Sequence, residues 1–470
     1  MRFAPRLLVL LAASAVSLAS AASSPAAVPD PLAALAAANG HPALVHMAAQ
    51  ASRVVEGRAV RVELEQLGPA RLVRSCVAEV CSGSWFDGRR RWTFGINAVP
   101  LPEADDATTP VRRTLAAIAS YAFAEPGFRA GGGTVVSRGA DRFRVRAAGG
   151  AELDALIDPA GHTVTSVLTT AGEPVAVYGR PTRVGGATFA LARGGPYETG
   201  PLDQAAARPG PLAPPNGPSV AYAGDGELAL ADQPIPVVPC RLGGRAVRCL
   251  IDSGANPSAI ALPLVEALGL EPRGELEIAG FGRFATGLVA AGPLVVGAAS
   301  FERVQLAVLP SAGRQPFDVV VGSDLLGKLR VSLDRAHDRA RVTGPGRGGP
   351  PGPGTIPLTF RDGSPHVAAV LGGVPFDALF DSGDSALVSL GYAAYRAGPA
   401  WAVLGRGRAS GVDASEDVLE VQVPAASVGP LALGPTRAIV RRTQADTHVG
   451  VALWRRCALE LDEADATLTC

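Results

Sequence analysis

The sequence has almost no lysine: Lys328 stands alone among 43 basic residues, the rest being arginine. That bias points to a GC-rich bacterial genome. Neither charge is in excess, with 43 basic against 43 acidic side chains, which excludes an electrostatic nucleic-acid binder. Aromatics are scarce at 5%, against 56 glycines and 40 prolines in 470 residues, which favours strands punctuated by turns. No H-E-x-x-H and no G-x-S-x-G occurs, so the commonest zinc-protease and serine-hydrolase signatures are missing. No apolar run after residue 18 is long enough to span a membrane.

The chain opens with Arg2 and Arg6, an apolar run from Leu7 to Leu18 and the small residues Ala19-Ser20-Ala21. This is the pattern of a secretory signal peptide over residues 1–22, with no membrane span expected after its cleavage. A periplasmic or secreted protein is expected. The six cysteines fit that compartment, as three local pairs: Cys76 with Cys81, Cys240 with Cys249, and Cys457 with Cys470. A turn centred on Gly244-Arg245 would set Cys240 opposite Cys249, and one near Glu463-Ala464 would do the same for Cys457 and Cys470. Disulfides are expected; C-x-x-C spacing is absent, and neither a metal nor a cofactor is indicated.

Two Pro/Gly-rich stretches, 194–219 and 344–355, read as linkers and divide the mature chain into three. The first part, 30–193, reads as an antiparallel α+β domain with an Ala-rich helix from Pro31 to Gln50, alternating strands, and a helix from Thr109 to Ala124. Its order of elements resembles periplasmic lipoprotein carriers, without a motif that assigns function. His41 and His46 have no third ligand nearby in sequence and read as incidental. The stretch Gly322-SDLL-Gly327-Lys328 has phosphate-loop spacing, but Leu329 replaces the hydroxyl residue and a strand pattern follows, so it reads as a packed turn.

The informative feature is an internal repeat over 220–343 and 356–470. Asp252-Ser253-Gly254 recurs as Asp381-Ser382-Gly383, 129 residues on, and Val321-Gly322 recurs as Val449-Gly450, 128 residues on. Each copy has a hairpin at a Gly-Gly turn, an apolar strand running into Asp-Ser-Gly, a glycine-rich hairpin (Gly280, Phe281, Gly282 in one, Gly405 and Gly407 in the other) and a closing strand ending in Leu-Asp.

The pattern resembles the retropepsin-like aspartic proteases: Leu250 to Asn256 looks like their catalytic loop and Val319 to Leu326 like their later apolar-apolar-Gly turn. The resemblance implies a mainly β protein with two tandem closed-barrel lobes forming a pepsin-like pseudo-dimer, Asp252 and Asp381 as an intramolecular catalytic dyad in a monomer, and a polypeptide substrate. It also implies that Ser253, Gly254, Ala255, Ser382 and Gly383 support the dyad and that the glycine-rich hairpins are flaps. One position departs from the pattern: Asp384 stands where Ala or Ser is usual. A third carboxylate there would oppose a shared proton unless it is paired or faces solvent. The alternative is a non-catalytic envelope module that binds extended peptide in the same cleft with a degenerate second lobe.

Overall fold

The computed structural model describes residues 30–470 apart from 56–57, 140, 180, 190–191, 195–202, 280–282, 310–314, 347–353 and 412–413. The signal segment, the first flap tip (Gly280, Phe281 and Gly282) and most of the second linker therefore lie outside the described residues. Strands dominate, as the glycine, proline and β-branched content requires. No helix of the described residues is long and apolar enough to cross a membrane.

The first helix, Pro31–Ala38, is capped by the Asp30 carboxylate on the Leu32 N–H and ends far short of residue 50. Gly40, at φ +66°, turns the chain out of the helix, and the alanine-rich run beyond it, Met47–Val55, is a strand that buries alternate side chains. Alanine frequency was a poor guide here; the period-two burial decides. This strand lies in a seven-stranded antiparallel sheet, and Gln204–Ala207, inside the Pro/Gly-rich stretch 194–219, pairs along its outer edge. A six-stranded sheet packs under the helix Thr109–Ala119 around Leu115, Ile118, Tyr121, Phe123, Phe143 and Val145.

Residues 220–470 build a ten-stranded sheet, an eight-stranded sheet and a six-stranded sheet. In the ten-stranded sheet Arg245–Ile251 runs parallel to Val319–Val321, and Ala259–Ala261 lies antiparallel beside the latter. The eight-stranded sheet repeats this: Val374–Asp381 runs parallel to His448–Gly450, with Val388–Gly391 antiparallel beside it. The six-stranded sheet takes strands from both halves, joined where Arg330–Asp334 pairs with Leu459–Asp462.

All three expected cysteine pairs are bonded. The middle hairpin differs in register from the expected one. Its turn is Gly243-Gly244, both at positive φ, so Cys240 pairs with Val247 and Cys249 with Val238, and the bond runs diagonally between non-opposed residues. Two positive-φ residues in a two-residue loop are what a hairpin with the native strand twist needs, and glycine supplies both without strain. Gly405 and Gly407 are also not at a tip: they lie within the strand Ala402–Ser410, and the hairpin reverses between Ser410 and Ser415.

Candidate active site

Each Asp-Ser-Gly loop follows the inner strand of its sheet, where the paired parallel strand ends in Val-Gly. Asp252 N–H donates to Val321 O, and the next turn is closed by Ala255 N–H on Asp252 O; Asp384 N–H on Asp381 O closes the second loop. The two loops face each other. Ser253 N–H donates to Ser382 Oγ at 2.9 Å and Ser382 N–H to Ser253 Oγ at 3.0 Å. Each hydroxyl then donates onward across the interface, Ser253 Oγ to Phe380 O at 2.7 Å and Ser382 Oγ to Ile251 O at 2.8 Å. Both serines are buried, and four hydrogen bonds join three polar groups of each loop to the other.

This cross-lock sets the carboxyl groups of Asp252 and Asp381 within hydrogen-bond reach of each other. The glycines make the approach possible: a Cβ on Gly254 would fall 2.4 Å from Asp381 Cγ, and one on Gly383 2.4 Å from Asp252 Oδ2. Asp252 Oδ1 accepts N–H bonds from Gly254 and Ala255, and Asp381 Oδ1 from Gly383 and Asp384. The surroundings then separate the two acids. Burial, followed by the charge of Asp381 and the hydrogen bond with it, pushes Asp252 well above the usual carboxylate range. Asp381 is held below that range: burial opposes its ionisation, but pairing with His448, the bond with Asp252 and the Gly383 N–H outweigh it. The two carboxyls are thus pushed in opposite directions.

Asp384 is neither in solvent nor free. Its Oδ1 accepts from Ala386 N–H at 2.9 Å and its Oδ2 from the Ser389 hydroxyl. Burial and then the charge of Asp381 push it up. His448 had no place in the sequence reading. Its Nδ1 lies 3.2 Å from Asp381 Oδ2 and 4.0 Å from Asp384 Oδ2, off the line of a well-formed hydrogen bond. These three side chains are the cluster of possible ligand atoms among the described residues, all within 4.8 Å.

The carboxylates open into a cleft of about 1290 Å³. Leu250, Val320, Leu379 and Ile439 line it beside them, and Arg283, Arg408 and the Arg437–Glu420 ion pair also line it. Gly407 belongs to this lining, through a strand and not a tip.

Beneath the loops lies a second acid pair. Asp324, fully buried, accepts from Ser258 N–H and Oγ and from Asn97 Nδ2 of the N-terminal part at 2.7 Å. Glu463, also buried, meets Ser323 Oγ at 3.0 Å, and Ser323 Oγ lies 2.8 Å from Ser253 O. A hydroxyl has one hydrogen. If Ser323 gives it to Ser253 O, Glu463 must be protonated to donate to Ser323, and burial does push Glu463 up to about 8. The folded protein therefore keeps a proton that the unfolded chain releases above the ordinary glutamate range. Its stability is expected to fall as pH rises from about 4.5 to about 8 and then to level off. Glu463→Gln, which keeps a donor to Ser323 without titrating, is expected to flatten that slope and to gain a few kcal/mol over wild type near pH 8, read by urea unfolding across pH. An unchanged slope would contradict this.

Residues 238–325 match the family model described as aspartyl protease, a span that contains Asp252, the first hairpin and the Val321-Gly322 turn. A crystal structure of a retropepsin-like aspartic protease from Rickettsia conorii is similar to the chain at 16% identity, over 27% of this chain and 96% of that one, with a TM-score of 0.21. No curated protein matches. The likeness to aspartyl proteases is thus carried by residues 238–325, less than half of the chain. The match lies within a mainly β protein and stops short of the second Asp-Ser-Gly loop.

Proposed function

We propose that the protein is an exported aspartic endopeptidase whose two halves act as tandem lobes and supply one aspartate each. The observation that carries this is the reciprocal lock of Ser253 and Ser382, which holds the carboxyl groups of Asp252 and Asp381 against each other at the floor of the cleft. The chemistry follows from a pair sharing one proton. The ionised carboxylate takes a proton from water as the water oxygen bonds to the scissile carbonyl carbon, and the protonated partner gives its hydrogen to the carbonyl oxygen. The tetrahedral diol collapses when the carboxyl that took the water proton gives it to the amide nitrogen, a diol hydroxyl gives its proton to the other, now ionised, carboxylate and the C–N bond breaks, which releases a carboxylic acid and an amine and leaves one proton on the pair.

An extended polypeptide fits such a floor, and the apolar Leu250, Val320 and Leu379 beside the carboxylates favour apolar residues flanking the cleaved bond. Export to the periplasm or medium goes with the signal-like segment and with three disulfides. A peptide-binding module with a degenerate second half would need Asp384 to spoil the pair. Its bonds to Ser389 and Ala386 argue against that.

The test is digestion of an unfolded polypeptide by the purified mature protein, with mass spectrometry of the new termini. Internal cuts beside apolar residues and a bell-shaped dependence of kcat/KM on pH are expected. Absence of new termini from acid to neutral pH would overturn the reading.

A further inference from the structure

The two halves repeat one fold but not one setting for the aspartate. Three apolar positions of the first half, Ala255, Ala259 and Val320, are Asp384, Ser389 and His448 in the second. The correspondence is fixed by register. Val320 pairs in parallel with Leu250 and antiparallel with Ala259; His448 pairs in the same two ways with Leu379 and Ser389. Ala255 and Asp384 are each the third residue after the aspartate, with the N–H 3.1 Å from its Oδ1. The three polar side chains meet one another: Ser389 donates to Asp384, and His448 lies between Asp384 and Asp381. A lone ionisable group in this wall would be a desolvated charge; the set of three is internally paired.

We propose that His448 is a positioning residue that breaks the symmetry of the pair, with Asp384 and Ser389 holding it in place, so that Asp381 carries the charge and takes the proton from water while Asp252 keeps the proton and polarises the carbonyl. This rests on the Asp252/Asp381 reading above. A protonated imidazole about 3 Å from one oxygen of Asp381 would favour the ionised form of that carboxyl. The groups that face this contact are Asp252 from the first loop, Asp384 from the loop after Asp381, and the uncharged Ser389 from the neighbouring strand. Arg441 on the adjoining strand bonds Glu416, and Asp446, Arg455 and Arg456 line the cleft without an ion pair to the three.

The test is kcat/KM against pH for wild type, His448→Val, Asp384→Ala and the triple variant Asp384→Ala/Ser389→Ala/His448→Val. The triple variant restores the first half's own residues at the same register and so keeps a packing the fold already uses. His448→Val and the triple variant are expected to move the acid limb of the profile upward by about 1 to 3 pH units. Asp384→Ala, which leaves the cation to Asp381 alone, is expected to move it no higher than in wild type. If Asp252→Asn abolishes turnover but His448→Val and the triple variant share the wild-type acid limb, the inference falls and the dyad stands. If Asp252→Asn stays active, the dyad reading falls instead. The titration of Asp381, followed by carboxyl carbon NMR without any substrate, then judges the charge pairing on its own: an upward shift in His448→Val supports it and no shift overturns it.

Discussion

Replacing Asp252 by asparagine is expected to lower kcat/KM for polypeptide cleavage by at least about a thousandfold, and Asp381→Asn to do the same. An amide keeps the size and most of the hydrogen bonds of the carboxyl but removes the titrating proton. The two variants should differ in stability. Asp252 is the member that burial pushes up, so an uncharged amide replaces a group already protonated and the fold should hold or gain slightly. Asp381 is the member paired with His448, so Asp381→Asn leaves the imidazole facing only Asp384 and should lower the melting temperature in acid. Kinetics on one internally quenched polypeptide, with thermal unfolding of each variant at the same pH, check both parts. Two variants that cut at the wild-type rate would remove the dyad from the chemistry altogether.

The second large effect concerns the lock and not the acids. Ser382→Ala removes the acceptor of the Ser253 N–H and the donor to Ile251 O, and Ser253→Ala does the mirror-image damage at Ser382 N–H and Phe380 O. Each leaves two buried polar groups unpaired, at about 1 to 3 kcal/mol apiece, so a loss of roughly 2 to 5 kcal/mol in unfolding free energy is expected for either variant. Because the two substitutions leave different groups unpaired, the double variant should cost about as much as the two single losses combined. Urea unfolding of the three variants measures this. Single losses below about 0.5 kcal/mol, the range of an ordinary surface change, would mean the lock contributes nothing to stability.

Much of this was legible because the chain describes its site twice. Sliding the sequence against itself locates the Asp-Ser-Gly loops and the Val-Gly turns, and these are the segments that face each other in the structure. His448 was missed, although the same comparison contains it: the residue before Val449-Gly450 is a histidine where the first copy has Val320. Asn97 could not have been found, since nothing local marks one amide, some 200 residues from Asp324, as the group that satisfies a buried carboxylate. The other errors share a cause. Alanines from 47 to 55 suit a helix by propensity and a strand by burial, and Gly405 and Gly407 look like a turn but lie along a strand. Composition records what a residue tolerates; only its neighbours in space decide which tolerance is used.

The sheet shared by the halves also sets an order of events for the growing chain. Arg330–Asp334 already pairs with Arg339–Thr343, a local contact available as soon as it is made, but its other edge stays open until Leu459–Asp462 has been synthesised. Joining them closes a loop of more than a hundred residues, the kind of contact that comes late because chain entropy must be surrendered before anything is gained. Until the second half has been made, the Asp-Ser-Gly loop of the first has no partner for its serine, and the reciprocal bonds between Ser253 and Ser382 form only when both halves are present.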